Sequence, residues 1–185
     1  MRTNRLLFSL VLFSWIVWAY FSFNFRFDRL FGDAANYLFL VINDLSFFIA
    51  HHRPAGVLIE VFPLYLAKHN FEMETIISSL SYNEAFVLIL FSAFAQFVLK
   101  DGWLAFSIML INFIGERINY FNPVSELYLA SPIFLLGFGV ISRVNQPWWS
   151  HLFLVLCVIM VVMSHPLFIF LVPIGYMITF NSGNF

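Results

Sequence analysis

Between Leu6 and Phe23 the chain carries no charged side chain, and most of its residues are Leu, Val, Phe, Trp or Ile. A run of this length matches the hydrocarbon thickness of a bilayer, which takes about 20 apolar residues in a helix and somewhat fewer where flanking residues snorkel. Similar runs recur to the end of the chain, as in AFVLILFSAFAQFVL and LFLVLCVIMVVM. Backbone amides in lipid must find partners within their own segment, and helices alone achieve this in runs so long. Strand-length alternation of the kind a barrel needs is absent.

Composition agrees. Of 185 residues, 62% are hydrophobic and only 10% charged, against about 25% charged in soluble domains. So little charge does not wet a globular surface. The net charge of −1 gives no footing for nucleic acid, and no Gly-rich phosphate loop, HExxH or CxxC pattern occurs. Cys157, the single cysteine, sits in an apolar run and reads as a packing residue. The first apolar run follows a basic start but contains Trp15, Trp18 and Tyr20 and lacks a small-residue cleavage site, so it is expected to be retained.

The expected fold is all-α: one polytopic membrane domain over residues 1–185, with about six spans and interfacial helices in a long first outer loop. Span 1 covers 6–23. An outer interfacial region covers 24–83, where charges alternate with strongly apolar residues. Spans 2–6 fall within 84–180. Ser81 and Glu84 together read as a capping box opening span 2. Span 3 runs from Trp103 to about Ile114 and onward toward Tyr120. Span 4 is Val124 to Ile141, span 5 Trp148 to Met163, and span 6 Leu167 to Phe180, with Pro173 able to kink it. Among the short loops, Lys100 and Arg143 outnumber Arg117, which favours a cytoplasmic N-terminus.

Within GDAANYLFLVIND, helical spacing places Asp33, Tyr37, Asp44 and His51 in one stripe, flanked by Asn36 and Asn43. Carboxylates are expensive near hydrocarbon, so such a ridge faces water or lines a site. Asp33 and Asp44 would stand roughly 16 Å apart on a straight helix, too far to share a proton or a metal ion. No metal site is expected, because adjacent His51 and His52 point in different directions. His52 and Arg53 suit anion binding at a helix start, since guanidinium forks match phosphate. Glu116, Arg117, Glu126 and His165 fall on the same outer side as Asp33 and Asp44 under this topology.

The order of elements, with GDAANY shortly after span 1, HHRPAG, FNPVSELYL and SHPLF, resembles the N-terminal part of GT-C superfamily glycosyltransferases and is similar to multi-span proteins of the Bacteroidota type. The resemblance implies an enzyme of the outer face of a bacterial inner membrane that uses a polyprenyl-phosphate-linked sugar. On that resemblance the catalytic carboxylate is Asp33 or Asp44, with Asp33 in the expected place. Tyr37, His52, Arg53, Glu116, Arg117, Glu126 and His165 are the substrate-binding candidates. The partners implied are membrane lipids and the sugar donor. The cofactor is open, a divalent cation included. The alternative is a non-catalytic membrane subunit or scaffold that binds a protein partner through its polar outer face. Asp33 being followed by Ala34 and Ala35, and the chain stopping after span 6, favour that alternative. The same ending also fits a fragment of a longer chain.

Overall fold

The computed structural model describes residues 2–30, 32–49, 56–114, 126–141, 148–164 and 168–182, the first three and residues 126–128 and 178–182 by backbone alone. Among the described residues every regular element is helical. The helices are α1 (Arg2–Asn24), α2 (Asp33–Asp44), α3 (Val57–Lys68), α4 (Met73–Ala93), α5 (Gly102–Ile114), α6 (Glu126–Ile141), α7 (Trp148–Ser164) and α8 (Phe168–Ser182). A π-helical segment, Phe94–Val98, extends α4.

Among the described residues two helices are long and apolar enough to cross a membrane, Arg5–Asn24 and Met73–Val98. The apolar helices of α5 to α8 are shorter. Large apolar side chains stay exposed along α1, α7 and α8, among them Phe13, Ile16, Leu156 and Phe170.

α4 is the central post of the fold. It packs along α3, and also against α1, α5 and α6. Its start corrects the sequence reading. α4 begins at Met73, so Ser81 and Glu84 lie inside the helix rather than at its cap. The local pattern fitted a capping box, but both side chains are engaged by α1 and the turn that follows it, and this tertiary pairing decides their role. A charged residue, Glu84, thus lies in the interior of the long apolar helix Met73–Val98.

α3 contains Pro63, which lacks the N–H that would donate to the carbonyl of Ile59 one turn back. Asn83 of α4 supplies the donor: its Nδ2 donates to Ile59 O at 2.6 Å and to Leu58 O at 2.9 Å. The proline's orphaned acceptor thus becomes an interhelical contact. Elsewhere small residues set the spacing. A Cβ added to Gly137 of α6 would stand 2.8 Å from Cys157 Cβ of α7, so those two helices are in closest approach there.

Among the described residues three non-glycine residues adopt positive φ: Leu45, Asn70 and Lys100. Each ends a helical element. Asn70 is of the type that tolerates this conformation, and the Phe71 N–H donates to Leu66 O in the Schellman manner. Leu45 and Lys100 carry the left-handed strain that a Cβ brings.

Candidate functional site

α1 ends in a turn over residues 25–29 that carries Arg26 and Arg29. Both arginines reach across to α4, where Glu74, Ser78, Ser81 and Glu84 recur at helical spacing on one side. Arg26 is the outer clamp. Its Nε donates to Ser78 Oγ at 3.1 Å, and its Nη2 stands 3.6 Å from Glu74 Oε1. The guanidinium also covers the Phe27 ring at 4.6 Å.

Arg29 is the inner clamp and is 1% exposed. Its Nη2 donates to Glu84 Oε2 at 2.8 Å. Its Nη1 donates to Ser22 Oγ and Ser81 Oγ, each at 2.8 Å, and to Ser81 O at 3.2 Å. Ser81 Oγ donates onward to Ser22 O. The Trp18 indole N–H donates to the same Glu84 oxygen at 3.1 Å, and the Trp18 ring lies 5.8 Å from Arg29 Cζ. A guanidinium does not lose its proton in proteins, so burying it demands a carboxylate and a full set of acceptors. The serines and Glu84 provide both.

This clamp fixes the chain just ahead of α2. Gly32, with φ of 57°, precedes Asp33, the first residue of α2. α2 turns Ala34, Leu38 and Val41 into the protein and leaves Asp33 and Asp44 exposed. Asp33 makes no hydrogen bond or ion pair with another described residue, whereas Asp44 Oδ1 accepts from Asn43 Nδ2 at 2.7 Å. An anionic side chain in a helix's first turn is favoured by the macrodipole. Tyr37 is half-buried and packs its ring 4.9 Å from that of Phe48. The two aspartates stand at opposite ends of α2, so they form no dyad.

Glu60 of α3 is 1% exposed, and its Oε2 accepts the Phe48 N–H at 2.9 Å. This bond folds the segment after α2 back onto α3. Asn83 and Glu84 are consecutive on α4, one holding α3 and the other holding the α1 turn.

Of the other site residues expected from sequence, His51, His52, Arg53, Glu116, Arg117 and His165 lie outside the described residues. Glu126 opens α6, its side chain not described. Sequence reasoning missed Arg29, Glu60 and Glu84 as buried groups. The available signal was the run Ser78, Ser79, Ser81, Asn83 and Glu84, a polar stretch inside an otherwise apolar helix. Among the described residues no group of three or more His, Cys, Asp or Glu could hold a metal ion. Set against protein-family models, curated proteins and solved structures, the chain has no significant match.

Proposed function

We propose that the chain is a multi-pass protein of the bacterial inner membrane, with a cytoplasmic N-terminus, that works as a GT-C-like glycosyltransferase module on a polyprenyl-phosphate-linked sugar. The observation that carries this reading is the placement of Asp33. It is exposed, and it opens a short amphipathic helix behind a helix of membrane length. The Arg29–Glu84 clamp holds the turn four residues before it. Two 12-residue helices then intervene before the next helix of membrane length, which supports the expected order of a first span followed by interfacial helices.

In this reading the Asp33 carboxylate takes the proton of the acceptor hydroxyl. The acceptor oxygen attacks the anomeric carbon, and the bond from that carbon to the polyprenyl phosphate breaks. The departing phosphate is held by cationic groups, for which Arg53, His52 and Arg117 are the candidates. The exposed apolar sides of α1 and of α2 offer the lipid tail a surface outside the polar clamp.

The test is transfer from a panel of polyprenyl-phosphate-linked hexoses by membranes containing the chain. Asp33→Asn should lower transfer about 10²- to 10⁴-fold, the range of a general base, while leaving the detergent-extracted protein monodisperse. Asp44→Asn should leave most of the activity. Wild-type rates in Asp33→Asn would remove Asp33 from the chemistry. A membrane-embedded chain that binds no sugar lipid and co-purifies with a defined protein would be a membrane subunit instead.

A further inference from the structure

At the opposite end of α1 and α4 from the arginine clamp lies a surface-opening cavity of about 270 Å³, lined by Leu7, Gln96, Lys100 and Gly102. Three independent features meet in it. Gln96 belongs to the π-helical segment, and its Oε1 is buried yet accepts no hydrogen bond from another described residue. Such an acceptor is costly to leave without a donor, and π segments often accompany binding sites. Lys100 adopts φ of 54° where glycine or asparagine would be at ease. It has no ion-pair partner among the described residues. Gly102 has no side chain where a Cβ would press to 2.8 Å from Leu7 Cδ2 and 3.3 Å from Gln96 Oε1, so a residue with a side chain would intrude on the cavity wall there.

A strained lysine beside an unpartnered acceptor defines a bipartite ligand: an anion for the ammonium and an N–H or O–H donor for the amide oxygen. The volume equals several waters, at about 30 Å³ each in the liquid, and is smaller than most sites for a whole drug-sized molecule. It suits a headgroup whose remainder stays outside. Leu6 and Phe8, exposed on α1 on either side of Leu7, give the remainder an apolar surface.

We propose that this cavity holds the headgroup of a phospholipid bearing both a phosphate and an N–H or O–H donor, as phosphatidylethanolamine and phosphatidylglycerol do. Lys100 engages the phosphate, and Gln96 Oε1 accepts from the ammonium or hydroxyl. Phosphatidylcholine has the phosphate but no such donor, so it is discriminated against. The inference rests on the membrane reading above and is independent of glycosyl transfer.

The experiment is native mass spectrometry of the full chain in detergent with each lipid added singly. The wild type should retain phosphatidylethanolamine and phosphatidylglycerol at least fivefold over phosphatidylcholine. Lys100→Gln should lower retention of all three, since each offers the phosphate, and Gln96→Leu should abolish the discrimination. Lys100→Gly separates site from scaffold: its melting temperature should hold or rise, because the backbone strain is relieved, while lipid retention falls. Equal retention of the three lipids by the wild type, or wild-type retention by Lys100→Gln, would overturn the proposal. A second arm adds inorganic phosphate to delipidated protein. A phosphate-dependent rise in melting temperature that Lys100→Gln loses, with no lipid retained, would place a free anion in the cavity and refute a headgroup. Carbonate washing of the source membranes reports on the membrane reading separately. Release of the chain overturns both readings, whereas retention with lipid-indifferent variants overturns the site alone.

Discussion

Replacing Arg29 by methionine should be among the most damaging single changes in this protein. The substitution removes four hydrogen bonds, to Ser22 Oγ, Ser81 Oγ, Ser81 O and Glu84 Oε2. It leaves the Glu84 carboxylate buried, with the Trp18 indole N–H as its remaining donor among the described residues. Breaking one side of a buried pair costs about 3–5 kcal/mol, because the survivor keeps its desolvation without its counter-charge. Glu84→Gln is milder. The amide retains the shape and one acceptor, and the guanidinium keeps the hydroxyls and carbonyl of Ser22 and Ser81. The loss is then that of a charge-assisted bond, about 1.5–3 kcal/mol. Combining Arg29→Met with Glu84→Leu should cost less than the two single changes added together, with a coupling of about 1–3 kcal/mol. Reversible unfolding of the wild type and these four variants in mixed detergent micelles, with melting temperatures alongside, measures these values. A destabilisation by Arg29→Met below about 1 kcal/mol, or a double variant additive within about 0.5 kcal/mol, would refute the clamp as a coupled unit.

Asn83→Leu should destabilise by about 1–3 kcal/mol, since it strips the donor from Ile59 O; adding Pro63→Ala restores a backbone N–H to that carbonyl, so the double variant should recover part of the loss in the same unfolding assay. Gly137→Ala should cost about 1–3 kcal/mol by overpacking, because the atom it meets is the Cβ of Cys157 rather than a flexible tip; a neutral melting temperature would contradict the close approach of α6 and α7. Trp15→Phe removes the indole donor to Ser92 Oγ, at 2.9 Å, and should lower stability by about 1 kcal/mol.

The helical character was legible because long uncharged runs leave the backbone no other solution. Helix ends were legible where punctuation is local, as at Lys100-Asp101-Gly102, where Asp101 Oδ1 accepts the Leu104 N–H at 2.9 Å and caps α5. The start of α4 was not. Ser81 and Glu84 satisfy a short-range rule by spacing, and their true partners are far away in sequence on α1 and its turn. Arg29 looked like one more charge in a mixed interval for the same reason. Asn83 carried no signal by itself. Its meaning comes from Pro63 in another helix, and periodicity registers each residue separately. The amphipathic nature of α2 was readable, with Asp33 and Asp44 on its exposed side. Tyr37 was placed on the polar ridge, whereas its ring spends its surface on Phe48.

The separation of Arg29 from Glu84 along the chain, 55 residues, has a consequence for biogenesis. A ribosome adding about 5–20 residues per second needs roughly 3–11 s to make that stretch, and throughout it the guanidinium has emerged without its carboxylate. On the membrane reading proposed above, the nascent turn lingers in water or headgroups, sheltered by an insertase or by the bilayer surface, until α4 arrives. Slowing elongation between the two codons should prolong the interval in which quality-control proteases can cut there.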